Sequence, residues 1–261
     1  MSDSEALVLV ERDAYGIQGA VRLTMNRPRA FNALSEAMLD AMERELQRIG
    51  ESDARVVVIA GEGRAFCAGH DLKEMRQEPA LDYYRELFAR CSRMMLTIQR
   101  IPQPVIARVH GIATAAGCQL VAMCDLAVAS DGARFAVSGV NVGLFCATPG
   151  VALSRNVSRK AAFEMLVTGD FIDAQTAKER GLVNRVAAPG ELDDAVRALV
   201  SSIAGKPREA VAAGKRLFYR QLETGIESAY ALASETMACN MMDEATLEGT
   251  QAFIEKRPPR W

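Results

Sequence analysis

Apolar residues along the chain follow two different periods, and the switches between them mark out the elements. Residues 6–10 and 17–25 alternate or run apolar on either side of Asp13-Ala14-Tyr15-Gly16, the pattern of a β-hairpin. Asn26-Arg27-Pro28 closes the second strand, because proline has no N–H to give to a ladder. Ser35 stands as an N-cap, and Met38, Leu39, Met42, Leu46 and Ile49 share one face of a helix running to about residue 49. Val56–Ala60 is apolar on both faces and belongs in a covered sheet. Strand, helix and strand make a βαβ unit with a right-handed crossover.

A second long helix is predicted over 81–99, with Leu81, Tyr84, Leu87, Phe88, Cys91, Met95 and Ile98 on its buried side. The strand Val105–Val109 follows, then a turn of small residues and a short helix to about Met123. Leu126–Ala129 and Arg134–Val137 read as short strands, and Thr148-Pro149-Gly150 opens another helix. Asp173 caps a short helix that Gly181 ends, and Leu182–Val186 is the last strand. From Glu191 the pattern is helical alone. Leu192, Val196, Leu199 and Ile203 form one stripe, and further helices are predicted over 207–220, 225–241 and 243–255, with Pro207 and Gly225 at the joints. The chain therefore divides into a strand-rich core, 1–190, and a helical region, 191–261. The core alone implies a layered α/β fold.

Composition narrows the possible partners. A 49% hydrophobic, 25% charged chain of 261 residues is that of an ordinary globular protein. A formal charge of −2, with no Lys/Arg run longer than a pair, gives no footprint for nucleic acid. No apolar run approaches the roughly 18 residues of a membrane span. The opening Met1-Ser2-Asp3-Ser4-Glu5 is polar and acidic, unlike a targeting peptide. Six cysteines, at 67, 91, 118, 124, 146 and 239, include no CxxC pair. Buried reduced thiols, no metal site and a cytoplasmic protein are expected.

Two stretches look like halves of one site: Ala65-Phe66-Cys67-Ala68-Gly69-His70-Asp71-Leu72, and His110-Gly111-Ile112-Ala113-Thr114-Ala115-Ala116-Gly117-Cys118-Gln119-Leu120. Each follows an apolar strand and crowds small residues before a helix-capable segment. Small residues let a ligand reach the backbone, and free N–H groups at a helix start attract negative charge. Either stretch alone could serve tight packing. Facing each other, they would offer two amides to one oxygen, an oxyanion hole made of backbone.

With Asn26-Arg27-Pro28-Arg29-Ala30-Phe31-Asn32-Ala33-Leu34, Thr168-Gly169-Asp170-Phe171-Ile172-Asp173-Ala174 and Ala252-Phe253-Ile254-Glu255-Lys256-Arg257, these stretches resemble the signature of the crotonase (enoyl-CoA hydratase/isomerase) superfamily across nearly the whole chain. The resemblance implies a spiral of ββα turns with a C-terminal helical trimerisation region, assembled as a homotrimer or a dimer of trimers. It also implies an acyl-CoA substrate in fatty-acid metabolism, a lyase-class reaction, and no prosthetic group, coenzyme A being part of the substrate. Met237, Met241 and Met242 could serve the interface or fill a core.

By the same resemblance the oxyanion donors are the backbone amides of His70 and Ala116. Chemistry at C2 of a thioester passes through an enolate, whose oxygen needs preorganised donors. Hydratases of the family use two glutamates to activate water and deliver a proton. Here those positions are Gln119, which can hydrogen-bond water without taking its proton, and Gly139, which has no side chain. Extra residues at Leu144-Phe145-Cys146-Ala147 reshape the same wall, so weak hydration is expected, and restoring both carboxylates helps only if that loop leaves room. At His70 the amide is expected to act, with the near-neutral imidazole as the alternative. His110 is expected to be a packed or surface residue. Asp71 is expected in structural bonding, Asp125 pinning a turn, and Asn141 and Cys146 lining the pocket; Cys146 lacks an adjacent base for a nucleophilic role. Arg27, Arg29, Lys73, Lys256 and Phe253 resemble coenzyme A contacts, and Ala68, Asp71 and Leu72 resemble the segment beside pantetheine and adenine. Three functions fit: a weak hydratase, a decarboxylase of a malonyl-type thioester, or an acyl-CoA-binding or interaction protein without turnover.

Overall fold

The computed structural model describes residues 6–77 and 79–261, so the acidic opening, 1–5, lies outside the described residues. β1 (Val8–Arg12) and β2 (Ala20–Met25) form the predicted antiparallel hairpin, with Val8 opposite Met25. The Ser35 hydroxyl accepts from the Met38 N–H and starts α1 (Glu36–Gly50), whose Met38, Leu39, Met42, Leu46 and Ile49 are all buried. β3 (Val56–Gly61) is buried throughout. After β4 (Ala65–Cys67) and the single turn α2 (Leu72–Met75), α3 (Leu81–Arg100) buries Leu87, Cys91, Met94, Met95 and Ile98. Leu81, placed on the buried side by periodicity, is 64% exposed at the free first turn, and Tyr84 and Phe88 are half-buried.

The same plan then repeats. β5 (Val105–Val109) leads to β6 (Ile112–Thr114) and α4 (Ala116–Met123). β7 (Leu126–Ser130) leads to β8 (Arg134–Ala136), a 3-10 turn at Ser138–Val142, α5 (Ala147–Leu153) and α6 (Arg159–Thr168). β9 (Ile172–Asp173), α7 (Ala174–Glu179) and β10 (Arg185–Ala187) close the core. One sheet runs β1-β2-β3-β5-β7-β10, parallel from β2 onward; a smaller one runs β4-β6-β8-β9. Three times the chain gives one strand to the large sheet, one to the small sheet, and then helix. That is the spiral of ββα turns. Of the small sheet only β8 is foreseen, as Arg134–Val137; β4, β6 and β9 are not, because strands of two or three residues carry no readable period. The apolar run at Leu182 also misled: Leu182 and Val183 are buried in a loop after α7, and the strand begins only at Arg185.

α8 (Leu192–Ala204) lays Leu192, Val196 and Val200 on Val56, Val58, Ile106 and Val128, the face of the large sheet opposite α1, α3 and α4. α9 (Arg208–Leu222) is fastened by one buried cation. Lys215 Nζ donates to the carbonyls of Ile98 (2.7 Å) and Gln103 (2.8 Å) and to Asp125 Oδ2 (2.7 Å). Tyr219 and the Val105 N–H complete the carboxylate's bonds, so Asp125 pins α9 as well as its own turn. α10 (Ile226–Asn240), α11 (Glu244–Ile254) and the turn between them leave Ile226, Tyr230, Met237, Met241, Met242, Phe253 and Ile254 exposed. The three methionines therefore do not fill this chain's own core. Among the described residues no helix is long and apolar enough to cross a membrane.

Candidate functional site

The first half of the site is fixed by the segment before α1. Asn32 is fully buried, and its side-chain amide donates to the carbonyls of Glu62 and Ala65, both at 2.8 Å, tying that segment to the ends of β3 and β4. Leu34 then makes a parallel bridge with His70: its N–H donates to Gly69 O (2.8 Å) and its carbonyl accepts from Asp71 N–H (3.4 Å). Both bonds belong to the neighbours of His70, so the His70 N–H faces away from Leu34. Asp71 does the structural work expected of it. It caps α2 through Lys73 and Glu74 and pairs with Arg27 at 3.0 Å. Burial raises its pKa, but the Arg27 guanidinium and the cap bonds outweigh that and hold the carboxyl below its usual range.

The second half depends on close approach. Any Cβ on Gly117 would run into the Cys67 carbonyl, and one on Gly111 into that of Arg64. Glycine alone lets α4 and its approach lie against β4. Ala115 sits at φ 50°, ψ −120°, a conformation alanine rarely adopts. Its N–H donates to Ala136 O and its carbonyl accepts from the Gln119 N–H, each at 3.0 Å, so both flanks hold it. The strained turn aims the Ala116 N–H, first of the helix, outward. Gly69 (φ 90°) brings the halves together: a Cβ there would lie 2.9 Å from Ala115 Cβ and 3.2 Å from the Ala116 nitrogen. Neither the His70 nor the Ala116 N–H has a hydrogen-bond acceptor among the described residues.

A cavity of about 360 Å³ opens beside these amides. Its wall brings together Ala68, His70, Leu72, Ala116 and Gly139 from the sequence-selected residues, with Cys146 as expected. Met75, Phe88, Val142, Leu144, Phe145 and Pro149 make it apolar. The His70 ring packs edge-on to Phe88 at 5.5 Å, and neither ring nitrogen has a protein partner within hydrogen-bond geometry. Burial is the main influence on its pKa and lowers it from 6.5, favouring the neutral imidazole. Burial raises the Cys146 thiol, although the Gly139 N–H donating to its sulfur at 3.2 Å opposes this; the group is an unionised thiol, not a nucleophile. His110 is a packed residue bonded to the Gly63 carbonyl.

Several expected residues lie elsewhere. Gln119 is buried inside α4 with its side-chain carbonyl unpartnered, and it is not part of the cavity wall. Gly139 lines the wall, but a Cβ there would meet the Leu144 carbonyl and, at 2.7 Å, Cys146 Sγ. The 144–147 loop occupies the space a side chain would need, so a glutamate at 139 cannot be restored without moving it. Asn141 does not line the wall; its side-chain amide donates to Gly169 O at 3.4 Å. Arg27 is committed to Asp71 and the Ala33 carbonyl. Arg29 and Lys73 are exposed, and Phe253 (85% exposed) and Lys256 lie outside this chain's own cavity wall. Sequence reasoning missed Gly69 as the contact between halves and Ala115 as a strained pivot. Glycine before His70 was a usable signal; alanine at positive φ left none.

Residues 16–261 match the family model described as enoyl-CoA hydratase/isomerase. The rat protein named enoyl-CoA hydratase domain-containing protein 3, mitochondrial, is 46% identical over 99% of this chain and 86% of its own length. A crystal structure of an enoyl-CoA hydratase from Mycobacterium smegmatis is 68% identical, with TM-score 0.96 over 98% of this chain and 99% of that one. Human enoyl-CoA hydratase domain-containing protein 3 superposes with TM-score 0.94 at 44% identity, over 98% of this chain and all of that one. The vertebrate relatives carry the word mitochondrial in their names, which overturns the cytoplasmic expectation. That expectation rested on reduced thiols, and thiols are kept in more than one compartment.

Proposed function

The chain belongs to the enoyl-CoA hydratase/isomerase family, and from that premise we propose that its cavity takes the acyl group of a coenzyme A thioester and holds the carbonyl oxygen between the His70 and Ala116 amides. The observation that carries this reading is the convergence at Gly69, where two unpaired N–H groups from separate turns meet at the wall of one apolar cavity. Preorganised donors in a site that excludes water stabilise an enolate oxygen far better than water does. The wall carries no Lys or Arg among the described residues, which favours an uncharged acyl group over a malonyl-type carboxylate.

Hydration is slow in this account. It needs a base for water and an acid for C2, and Gln119 and Gly139 supply neither. Each missing group removes roughly 10²–10⁴ in rate. The exposed apolar side chains of the C-terminal helices support assembly into a trimer or a dimer of trimers, since so many large apolar groups in water, Met237, Met242 and Phe253 among them, are unusual for a monomer.

Calorimetric titration with a saturated acyl-CoA, a crotonyl-CoA hydration assay and mass in solution test these points together. Binding, with hydration far below ordinary enzymatic turnover and a mass of three or six chains, is expected. No binding sinks the acyl-CoA reading, hydration at ordinary rates sinks the account of the two positions, and a monomer sinks the assembly. Binding without turnover of any thioester would leave an acyl-CoA-binding protein.

A further inference from the structure

A second cavity, of about 850 Å³, opens at the other end of the large sheet, where the parallel strands β2 and β3 begin. It shares no wall residue with the acyl cavity. Its wall is built from the base of the β1–β2 hairpin, the loop before β3, the α8–α9 junction and Trp261. Two arginines cross between these parts. Arg55 donates to the Lys206 carbonyl and Arg208 to that of Ser52, each at 2.6 Å. The Trp261 indole N–H donates to Gly205 O (3.2 Å), which holds the ring at the same junction.

Arg12, Arg55 and Arg208 all line this space, and among the described residues none of them pairs with a carboxylate. Arg55 Nε is buried without any partner. A guanidinium carries five donors in a fixed fork, and a buried donor left without an acceptor is costly. The wall is therefore short of acceptors, and a phosphate supplies them in the geometry the fork prefers. Asp13, Asp53 and Glu209 line the cavity too, and they narrow the choice of anion. They would repel a bare polyanion. Asp13 already accepts from the Gly19 N–H (2.8 Å), which leaves Asp53 and Glu209 to take donors from a ligand. A nucleotide brings everything this wall lacks: phosphates for the arginines, ribose hydroxyls and base N–H groups for the carboxylates, and a flat face for the indole.

We propose that this cavity is a second ligand site, for a nucleoside di- or triphosphate, with its phosphates on Arg12, Arg55 and Arg208 and its base against Trp261. The bound nucleotide joins the hairpin and loop of the core to the start of α9, so it stabilises that attachment. The adenosine diphosphate head of coenzyme A carries the same chemistry as a free nucleotide, and the test separates the two.

Trp261 is the single tryptophan of the chain, so its fluorescence reports on this cavity. The full-length protein is titrated with ADP, with pyrophosphate and with coenzyme A. ADP is expected to quench the indole saturably, with a Kd below roughly 1 mM, and pyrophosphate to bind about tenfold more weakly or worse. Arg12→Gln changes an exposed side chain with no hydrogen bond among the described residues, so it should leave the melting temperature unchanged. Arg55→Lys keeps the charge and loses the fork. Each should weaken ADP by roughly tenfold or more. Quenching by ADP and not by coenzyme A assigns the site to free nucleotides, and equal quenching by both assigns it to the shared adenosine diphosphate head. No quenching by ADP, pyrophosphate binding as tightly as ADP, or ADP affinity unchanged in either variant overturns the proposal. None of these results touches the acyl-CoA reading.

Discussion

The two turns that meet at the site reach similar ends by opposite means. In the first, the awkward backbone conformation falls on Gly69, at φ 90°, where glycine carries it without strain. In the second it falls on Ala115, at φ 50°, where a Cβ makes it costly, typically by about 1–3 kcal/mol. The first turn is clamped from one side by Leu34, whereas the second is wedged between the Ala136 carbonyl and the body of β4. The first also brings the His70 imidazole to the cavity wall, and the second brings only the methyl groups of Ala115 and Ala116. Both N–H groups are left free, so the shared requirement lies in the backbone. What differs is how much surrounding structure each turn needs.

That contrast can be broken most forcefully at Gly117. Gly117→Ala drives a Cβ into the Cys67 backbone, which no side-chain rearrangement relieves, and should cost about 3 kcal/mol or more. Thermal unfolding should drop by several degrees, at roughly 2–4 °C per kcal/mol for a chain of this size. The same substitution at Gly132, which has open space around it and no positive φ, should leave the midpoint nearly unchanged. Equal effects at the two positions would mean that the second turn is not wedged.

A smaller effect tests whether the turns are coupled. Gly69→Ala places a Cβ 2.9 Å from that of Ala115, and its positive φ adds strain of about 1–2 kcal/mol. Ala115→Gly should relax the other side and be neutral or stabilising by about 1 kcal/mol. In the double variant the Cβ–Cβ clash is gone, so Gly69→Ala should cost less by roughly 0.5 kcal/mol or more. Strict additivity in denaturant titrations would argue that the turns do not press on each other.

The smallest effect concerns pH and only the first turn. Burial lowers the folded pKa of His70 below its unfolded value near 6.5, so unfolding takes up a proton in that window. Stability should be full above pH 6.5 and should fall as pH drops toward the folded pKa. His110, also lowered chiefly by burial, adds to the same trend. His70→Phe should flatten part of the decline and leave the His110 part. An undiminished slope in that variant would mean that His70 is not held neutral by burial.

The readability of the chain follows the same line between backbone and pattern. Ser35 and Asp173 announce their helices because a cap is a local event, confirmed by bonds to Met38 and Thr176. Val56–Ala60 reads correctly because a strand covered on both faces has nowhere to place a polar residue. β4, β6 and β9 escape notice, since their identity lies in distant partners. α6 went unread for a related reason: Ala162, Met165 and Leu166 are its only buried residues, too few to set a stripe. The site was half legible. Small residues flagged both turns, but that Gln119 is closed off inside α4, or that the Leu144 carbonyl fills the place of a side chain at 139, is a matter of packing between segments far apart in sequence.

The central claim is that two backbone amides, one from each turn, grip a thioester carbonyl, and the vibration of that carbonyl tests it most directly. Isotope-edited infrared difference spectra of ¹³C=O-labelled hexanoyl-CoA bound to the protein should show the stretch moved to lower frequency than in water. Ala116→Pro, acceptable at a first helical position but without an N–H, should return much of that shift while the protein remains folded. Loss of one such donor should weaken transition-state stabilisation by roughly 2.7–4 kcal/mol. A bound carbonyl that vibrates at its solution frequency in the wild-type protein, or a shift untouched by Ala116→Pro, would contradict the account.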